Sequence, residues 1–217
     1  MIKSLITVLA IVSSTAAFAN VKGHHDPTPM RKSVHFDEAN SVLTLRGPTT
    51  KDMSAKVHSI MVKHEVLVVN MAGPGGHYYA GLNIGNLIAK EGSAVIVPKG
   101  LECVSACAFA AMATKDKLVI NGALLFHLPY TTGVSTVKTI QEVQQEAGLV
   151  YFDMVAYVAR HGYPVYFARE LLAQTSPCKF VYVKDAESFL ATRTGDVTKP
   201  QSYKRKVTNR CMPSFQR

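Results

Sequence analysis

The chain has 217 residues, of which 47% are hydrophobic and 18% are charged. This length and composition suit one globular domain with a sizeable core, and they exclude an intrinsically disordered chain. The formal net charge of +9 brings anionic partners into consideration.

The first 19 residues have the features of a secretory signal peptide. Lys3 gives a positive start, Leu5–Val12 is a short apolar run, and Ala17-Phe18-Ala19 is a cleavage motif. We predict cleavage after Ala19, which places the mature protein in the periplasm or outside the cell. The apolar run is too short to span a bilayer, and no later stretch is long and apolar enough, so we predict no transmembrane segment.

The remaining sequence divides into a lead-in, one domain and a basic tail. Residues 20–32 contain Gly and Pro and are predicted to be extended. Residues 33–197 form the predicted domain, and no linker marks a second one. It opens with strands at Ser33–Phe36 and Ser41–Arg46, followed by a helix at Lys51–Lys63.

Strands and helices then alternate along the chain. Further strands are predicted at Glu65–Asn70, Ala94–Val97, Lys117–Ile120, Ala123–His127 and Phe180–Val183. Further helices are predicted at Tyr79–Glu91, Ala106–Thr114 and Val137–His161. Asn121-Gly122 favours a hairpin between the strands on either side of it. The alternation predicts an α/β fold with mainly parallel strand pairing.

Three features in this pattern supply the groups that acyl transfer needs. Ser105, within Cys103-Val104-Ser105-Ala106-Cys107, is a candidate nucleophile at the start of a helix, where the helix dipole is positive. His127, at the end of a strand, is a candidate base for the weakly nucleophilic hydroxyl. The turn Gly73-Pro74-Gly75-Gly76 has backbone N–H groups that could hold an oxyanion.

From Ser33 to Gly162, these motifs and their order resemble the proteolytic subunit of Clp protease and its crotonase-fold relatives, above all the exported single-domain Clp-like proteins. The resemblance implies a spiral of ββα units with a long helix after the catalytic His. It implies Ser105 as nucleophile, His127 as general base, and the N–H groups of Gly76 and Ala106 as the oxyanion hole. It implies no metal and no organic cofactor. Relatives assemble into rings or trimers, so it also implies self-association.

The sequence departs from this family at the third catalytic residue. The family has an acid after the long helix, but residues 174–179 contain no carboxylate. Glu170 and Asp185 flank this segment, and Asp153 lies within the long helix. Three interpretations stay open: a Ser-His dyad, a substitute acid, or loss of catalysis.

The sequence therefore predicts an exported serine hydrolase, a peptidase that acts on a peptide or small acyl substrate. The alternative is an inactive Clp-fold binding module of the cell envelope. Such a module would engage an anionic partner through the basic tail at residues 198–217, which otherwise is a solvated, partly frayed terminus. Aromatic residues are not interleaved with its bases, so nucleic acid is not favoured. A thiol redox protein is a further alternative, but the two nearby cysteines do not have the Cys-x-x-Cys spacing.

The four cysteines form an even set in an oxidising compartment. Cys103 and Cys107 bracket Ser105, and they are either a disulfide or two small buried residues that pack a tight turn. We predict that Cys178 pairs with Cys211, which would close the last strand against the basic tail.

Overall fold

The computed structural model describes residues 33–114, 117–127, 140–172, 179–183, 189 and 205–209. Its strands are β1 (Ser33–Asp37), β2 (Val42–Arg46), β3 (Val68–Ala72), β4 (Ala94–Val97), β5 (Glu102–Val104), β6 (Leu118–Ile120), β7 (Ala123–Phe126), β8 (Lys179–Val183) and β9 (Arg205–Asn209). Its helices are α1 (Lys51–Lys63), α2 (Tyr78–Glu91), α3 (Ala106–Met112), α4 (Ile140–Arg160) and α5 (Val165–Leu172). The predicted mixed α/β class is confirmed.

A five-stranded sheet carries the first half of the fold, in the order β1-β2-β3-β4-β6. Only the β1–β2 pair is antiparallel, and the other three pairs are parallel. Strand β3 begins three residues later than predicted. Its pairing with β2 runs from Val42↔Val68 to Arg46↔Ala72. The mainly parallel pairing follows from helices α1 and α2, which connect successive strands.

A second sheet has the order β5-β7-β8-β9. Strands β5 and β7 are parallel, whereas β8 is antiparallel to both β7 and β9. The two sheets meet just after β3, where Gly73 pairs with Cys103 of β5. This junction places the end of β3 beside the chain that leads into Ser105.

The predicted hairpin at Asn121-Gly122 is wrong, although both flanking strands exist. The N–H groups of Asn121 and Gly122 donate to the carbonyl of Val97, at 2.9 and 3.1 Å. These bonds hold the turn against the end of β4, so β6 stays in the first sheet and β7 enters the second. Three elements went unpredicted: β5, α5 and β9.

Local sequence explains where α1 and α2 begin and end. Thr50 caps α1, because its hydroxyl accepts a hydrogen bond from the N–H of Met53 at 3.1 Å. His77 caps α2 through its ring Nδ1, which accepts from the N–H of Ala80 at 3.2 Å. Gly92 ends α2 in the left-handed conformation, with φ of 68°.

The core lies between these helices and the sheets. Helix α3 is its most enclosed element, since all seven of its residues are buried. Among the largest fully buried side chains of the core are Phe109, Phe126, Phe167, Phe189, Leu43, Ile84, Ile88 and Met154. Phe109 and Phe126 pack edge to face, with ring centroids 5.5 Å apart. The start of α3 is therefore anchored by the core of the domain.

Five residues of the predicted basic tail form a strand. Residues Arg205–Asn209 form β9, in antiparallel register with β8. Backbone pairing to a sheet edge orders this segment despite its basic composition. No helix in the described part of the chain is long and apolar enough to cross a membrane.

Candidate active site

Ser105 lies in a sharp turn between a strand and a helix. Strand β5 ends at Val104 and helix α3 begins at Ala106, so Ser105 alone makes the connection. Its φ of 55° and ψ of −122° are angles that a residue with a side chain rarely adopts. Its N–H donates to the carbonyl of Leu125 at 2.8 Å, and its carbonyl accepts from the N–H of Phe109 at 3.0 Å. The neighbouring strand and the helix thus hold the turn from both sides.

The side chain of Ser105 is partly exposed and does not cap the helix. A serine at the start of a helix most often uses its hydroxyl to accept a hydrogen bond from the first turn. Here no such bond forms, and the strained backbone directs the side chain elsewhere. This strained strand-to-helix connection is similar in form to the turn that carries the nucleophilic serine of α/β-hydrolases.

The glycine turn lies directly against the Ser105 turn. Gly73 exchanges two 2.9 Å backbone hydrogen bonds with β5, donating to Glu102 and accepting from Val104. Gly75 has φ of 84°, and a Cβ built on it would lie 2.7 Å from Cβ of Ser105 and 3.0 Å from the amide nitrogen of Ala106. Only glycine fits at this position, so the structure brings Gly75, Ser105 and Ala106 together.

The next glycine faces the other neighbour of the turn. Gly76 pairs with Thr49, which donates to the carbonyl of Gly75 at 2.7 Å and accepts from the N–H of His77 at 2.8 Å. In a parallel bridge of this kind, the N–H of Gly76 itself points away from Thr49. Ala106 is the first residue of α3, where an N–H has no acceptor within the helix.

His127 follows β7 at the same edge of the second sheet as Ser105. Strands β5 and β7 are parallel, with Val104 opposite Leu125. Ser105 therefore ends one strand, and His127 lies just beyond the end of the adjacent one. The imidazole is buried, at 4% exposure.

Of the three candidate acids, Asp153 makes a hydrogen bond elsewhere. Its carboxylate accepts a 2.9 Å hydrogen bond from the hydroxyl of Tyr79, at the exposed surface between α4 and α2. This hydrogen bond raises the pKa of Tyr79. Burial, and secondarily the charge of Asp153, raises the pKa of Tyr78. The side chain of Glu170 and all of Asp185 lie outside the described residues.

Cys103 and Cys107 form a disulfide, with their Cα atoms 5.1 Å apart. Cys103 lies in β5 and Cys107 in α3, so the bond spans the strand, the turn and the helix. The distorted turn that this spacing requires is supplied by Ser105. Both cysteines are buried, and no free thiol lies in the described part of the chain.

An open groove of about 800 Å³ runs between α1 and α2, beginning next to the glycine turn. It is lined by Lys51, Ser54, Ala55, His58, His77, Tyr79, Ala80, Asn83 and Leu87. His77 lines this groove and also caps α2. Within the described ranges, no group of three or more His, Cys, Asp or Glu residues is arranged to hold a metal.

Comparison with known proteins gives distant similarity of structure. No protein-family model matches the sequence, and no curated protein matches it. Among solved structures, the chain is similar to a point mutant of ClpP1 from Listeria monocytogenes. The TM-score is 0.48 and the identity 15%, over 61% of this chain and 78% of that chain. At these values the likeness does not extend to chemistry, and the site has to be argued from its own geometry.

Sequence reasoning missed two features of the site and left a third open. Strand β5 is only three residues long, too short for a periodic signal. The disulfide was one of two alternatives, because its formation depends on the turn geometry. The Tyr79–Asp153 contact joins two residues 74 positions apart in sequence. The sequence of neither helix alone predicts this contact.

Proposed function

We propose that this chain is an exported serine hydrolase of the Clp-like ββα-spiral type, a peptidase with Ser105 as nucleophile and His127 as general base. The Oγ of Ser105 attacks the carbonyl carbon of the substrate while His127 accepts the hydroxyl proton. The tetrahedral intermediate collapses, the bond to the leaving group breaks, and His127 returns the proton to that group. Water then attacks the acyl-enzyme by the same route.

The backbone of Ser105 is the observation that carries this proposal. A strained backbone of this kind costs about 1–3 kcal/mol, and such residues cluster at active sites. Ser41 also has a positive φ, of 53°, but it lies in the turn between β1 and β2. The hydroxyl makes no capping bond that would account for the residue structurally. The strain and the absence of a capping role both support a nucleophile.

The glycine turn supports an oxyanion hole beside this hydroxyl. Gly75 approaches Ser105 and Ala106 as closely as a backbone can. In the proposed mechanism, the N–H groups of Gly76 and Ala106 stabilise the negative charge that develops on the substrate oxygen. The open groove between α1 and α2 reaches the glycine turn at His77, but neither Ser105 nor His127 lines it, so it is not part of this proposal.

The catalytic unit we propose is Ser105 with His127, either as a dyad or completed by an acid other than Asp153. Asp153 is engaged by Tyr79 at the surface, which removes one of the three acids from consideration as the third member. A buried imidazole next to the end of β5 needs no more than a correct orientation to act as a base. Glu170 and Asp185 are the acids whose substitution would reveal a triad.

Export and self-association belong to the same proposal. The Cys103–Cys107 disulfide is compatible with an oxidising compartment, in agreement with a signal peptide at residues 1–19. Intact-mass measurement of the mature protein should give a chain that begins at Asn20. A product that retains Met1 would contradict export.

Hydrolysis of chromogenic peptides and esters tests the enzyme proposal. We expect Ser105→Ala to lower kcat/KM by roughly 10³-fold or more, and His127→Asn to cost nearly as much, because the two groups act as a unit. Ser59→Ala, at an exposed position of α1 that does not line the groove, is the matched control and should retain full activity. A folded wild type that cleaves no substrate would replace the enzyme with the binding module.

A further inference from the structure

The Cys103–Cys107 disulfide closes a short covalent loop that contains the proposed nucleophile, Ser105. Cys103 is the middle residue of β5 and Cys107 is the second residue of α3, so three residues lie between the bonded pair. Ser105 is the middle one of the three. Cys103 is fully buried and Cys107 is 3% exposed, so both ends of the bridge are fixed in the core.

The backbone hydrogen bonds of the turn are comparable in energy to its strain. One backbone hydrogen bond joins Ser105 to Leu125, and one joins it to Phe109. The net contribution of such bonds is of the same order as the cost of a positive φ at serine. A turn with negative φ at Ser105 would relieve that cost and would move the hydroxyl from its place beside Gly75.

We propose that the Cys103–Cys107 disulfide is the positioning device of the Ser105 turn, and that only the oxidised chain is an active hydrolase. This inference rests on the proposed function and adds its regulation. The bridge ties the buried strand to the buried helix across the strained residue, so the relaxed turn is no longer accessible. Cys103 and Cys107 act through Ser105 and do not touch the substrate.

The redox step couples activity to the compartment. The two thiols lose two protons and two electrons as the S–S bond forms. The protons and electrons pass by thiol–disulfide exchange to the disulfide of an exported dithiol oxidase, and that disulfide is reduced to two thiols. In a reducing cytosol the pair stays reduced and the turn relaxed. The hydrolase would therefore be inactive until it reaches an oxidising compartment.

The rate at which a fluorophosphonate labels Ser105 tests this inference. We would compare the oxidised full chain, the same chain after phosphine reduction, and the Cys103→Ala/Cys107→Ala variant, with redox state assigned by mass. Labelling and kcat should fall at least tenfold in both forms that lack the bridge, with KM within twofold. Reoxidation should restore the reduced chain, but not the variant. The Cys178→Ala/Cys211→Ala variant controls for the other pair and should respond to reduction like the wild type.

The outcomes separate the two proposals. Equal labelling of folded oxidised and reduced chains, with folding checked by circular dichroism, would overturn the positioning role and leave the hydrolase intact. Loss of thermal stability with unchanged kcat per folded molecule would show a structural bridge only, and would also overturn it. Absence of labelling at Ser105 in the oxidised chain would overturn both the hydrolase and its regulation.

Discussion

At the scale of single residues, Ser105 has both a strained backbone and a partly exposed side chain. Its φ of 55° is maintained by Gly75 on one side and Leu125 on the other, and its hydroxyl caps nothing. The sequence predicted this residue because serine lies between a small-residue helix and a glycine turn. It did not predict the backbone angles, since these depend on contacts with Gly75 and Leu125, which are distant in sequence.

The strain predicts an unusual order of stabilities between two inactive variants. Ser105→Gly and Ser105→Ala both remove the hydroxyl, but only glycine accepts a positive φ without cost. Relief of the strain outweighs the greater flexibility of unfolded glycine, so Ser105→Gly should be more stable than Ser105→Ala by about 1 kcal/mol. Urea unfolding of both variants measures this difference. If the alanine variant were more stable by the usual glycine penalty, the turn would not be strained.

The contact between Tyr79 and Asp153 predicts a pH effect without a catalytic one. The hydrogen bond raises the pKa of Tyr79, so Asp153→Asn should lower that pKa toward the ordinary value of about 10. Because the folded pKa is the higher one, the contact stabilises the fold below about pH 10 and is lost as pH rises through the folded value. Carbon NMR of ring-labelled tyrosine, assigned with Tyr79→Phe, follows the titration.

The hydrolytic activity of Asp153→Asn tests whether Asp153 has a catalytic role. The variant should hydrolyse substrates at the wild-type rate, because the carboxylate lies at the surface on Tyr79. A loss as large as that of His127→Asn would instead make Asp153 the third catalytic residue.

At the scale of elements, α2 positions the site because glycines let it approach its neighbours. A Cβ on Gly81 would collide with the carbonyl of Ala106, and one on Gly85 would collide with the hydroxyl of Tyr157. That hydroxyl donates to the carbonyl of Phe109 at 2.9 Å. Helices α2, α3 and α4 are thus locked together just behind the Ser105 turn.

This packing predicts opposite effects for two helical glycines. Gly85→Ala should destabilise the protein by about 1–3 kcal/mol, because the new methyl displaces Tyr157 and crowds Ala113. Gly148→Ala in α4 meets nothing within 4 Å, so it should stabilise by up to about 1 kcal/mol through helix propensity. Thermal and urea unfolding compare the two variants, and effects of the same sign would contradict the described packing.

Elements with strong local signals were predictable, and connections between sheets were not. Helix α1 and strand β4 have the predicted bounds, because each has a clear apolar pattern and a turn or cap at its ends. The Asn121-Gly122 turn has the composition of a hairpin, but its N–H groups bond to Val97 of another strand. This hydrogen-bond acceptor is available only once the sheets have assembled, so the sequence of the turn does not predict it.

At the scale of the whole molecule, a second disulfide remains a prediction. Cys178 and Cys211 lie outside the described residues. In sequence they flank Lys179 and Asn209, which are register partners in β8 and β9. A bridge between them would close the open end of this strand pair and contribute about 3–4 kcal/mol. Peptide mapping without reduction should recover the linked pair, and alkylated thiols at both positions would contradict it.

Gly73 and Cys103 pair where the two sheets meet. This pairing places the glycine turn that follows β3 next to the Ser105 turn that follows β5, and the proposed chemistry depends on that contact. Fluorophosphonate labelling of the oxidised protein, followed by peptide mapping, tests this central claim most directly. One adduct per chain is expected, on Ser105, and it should be absent from Ser105→Ala and retained in Ser59→Ala. A folded, oxidised protein that takes up no label, or carries it on another residue, would contradict the assignment of Ser105 as the nucleophile.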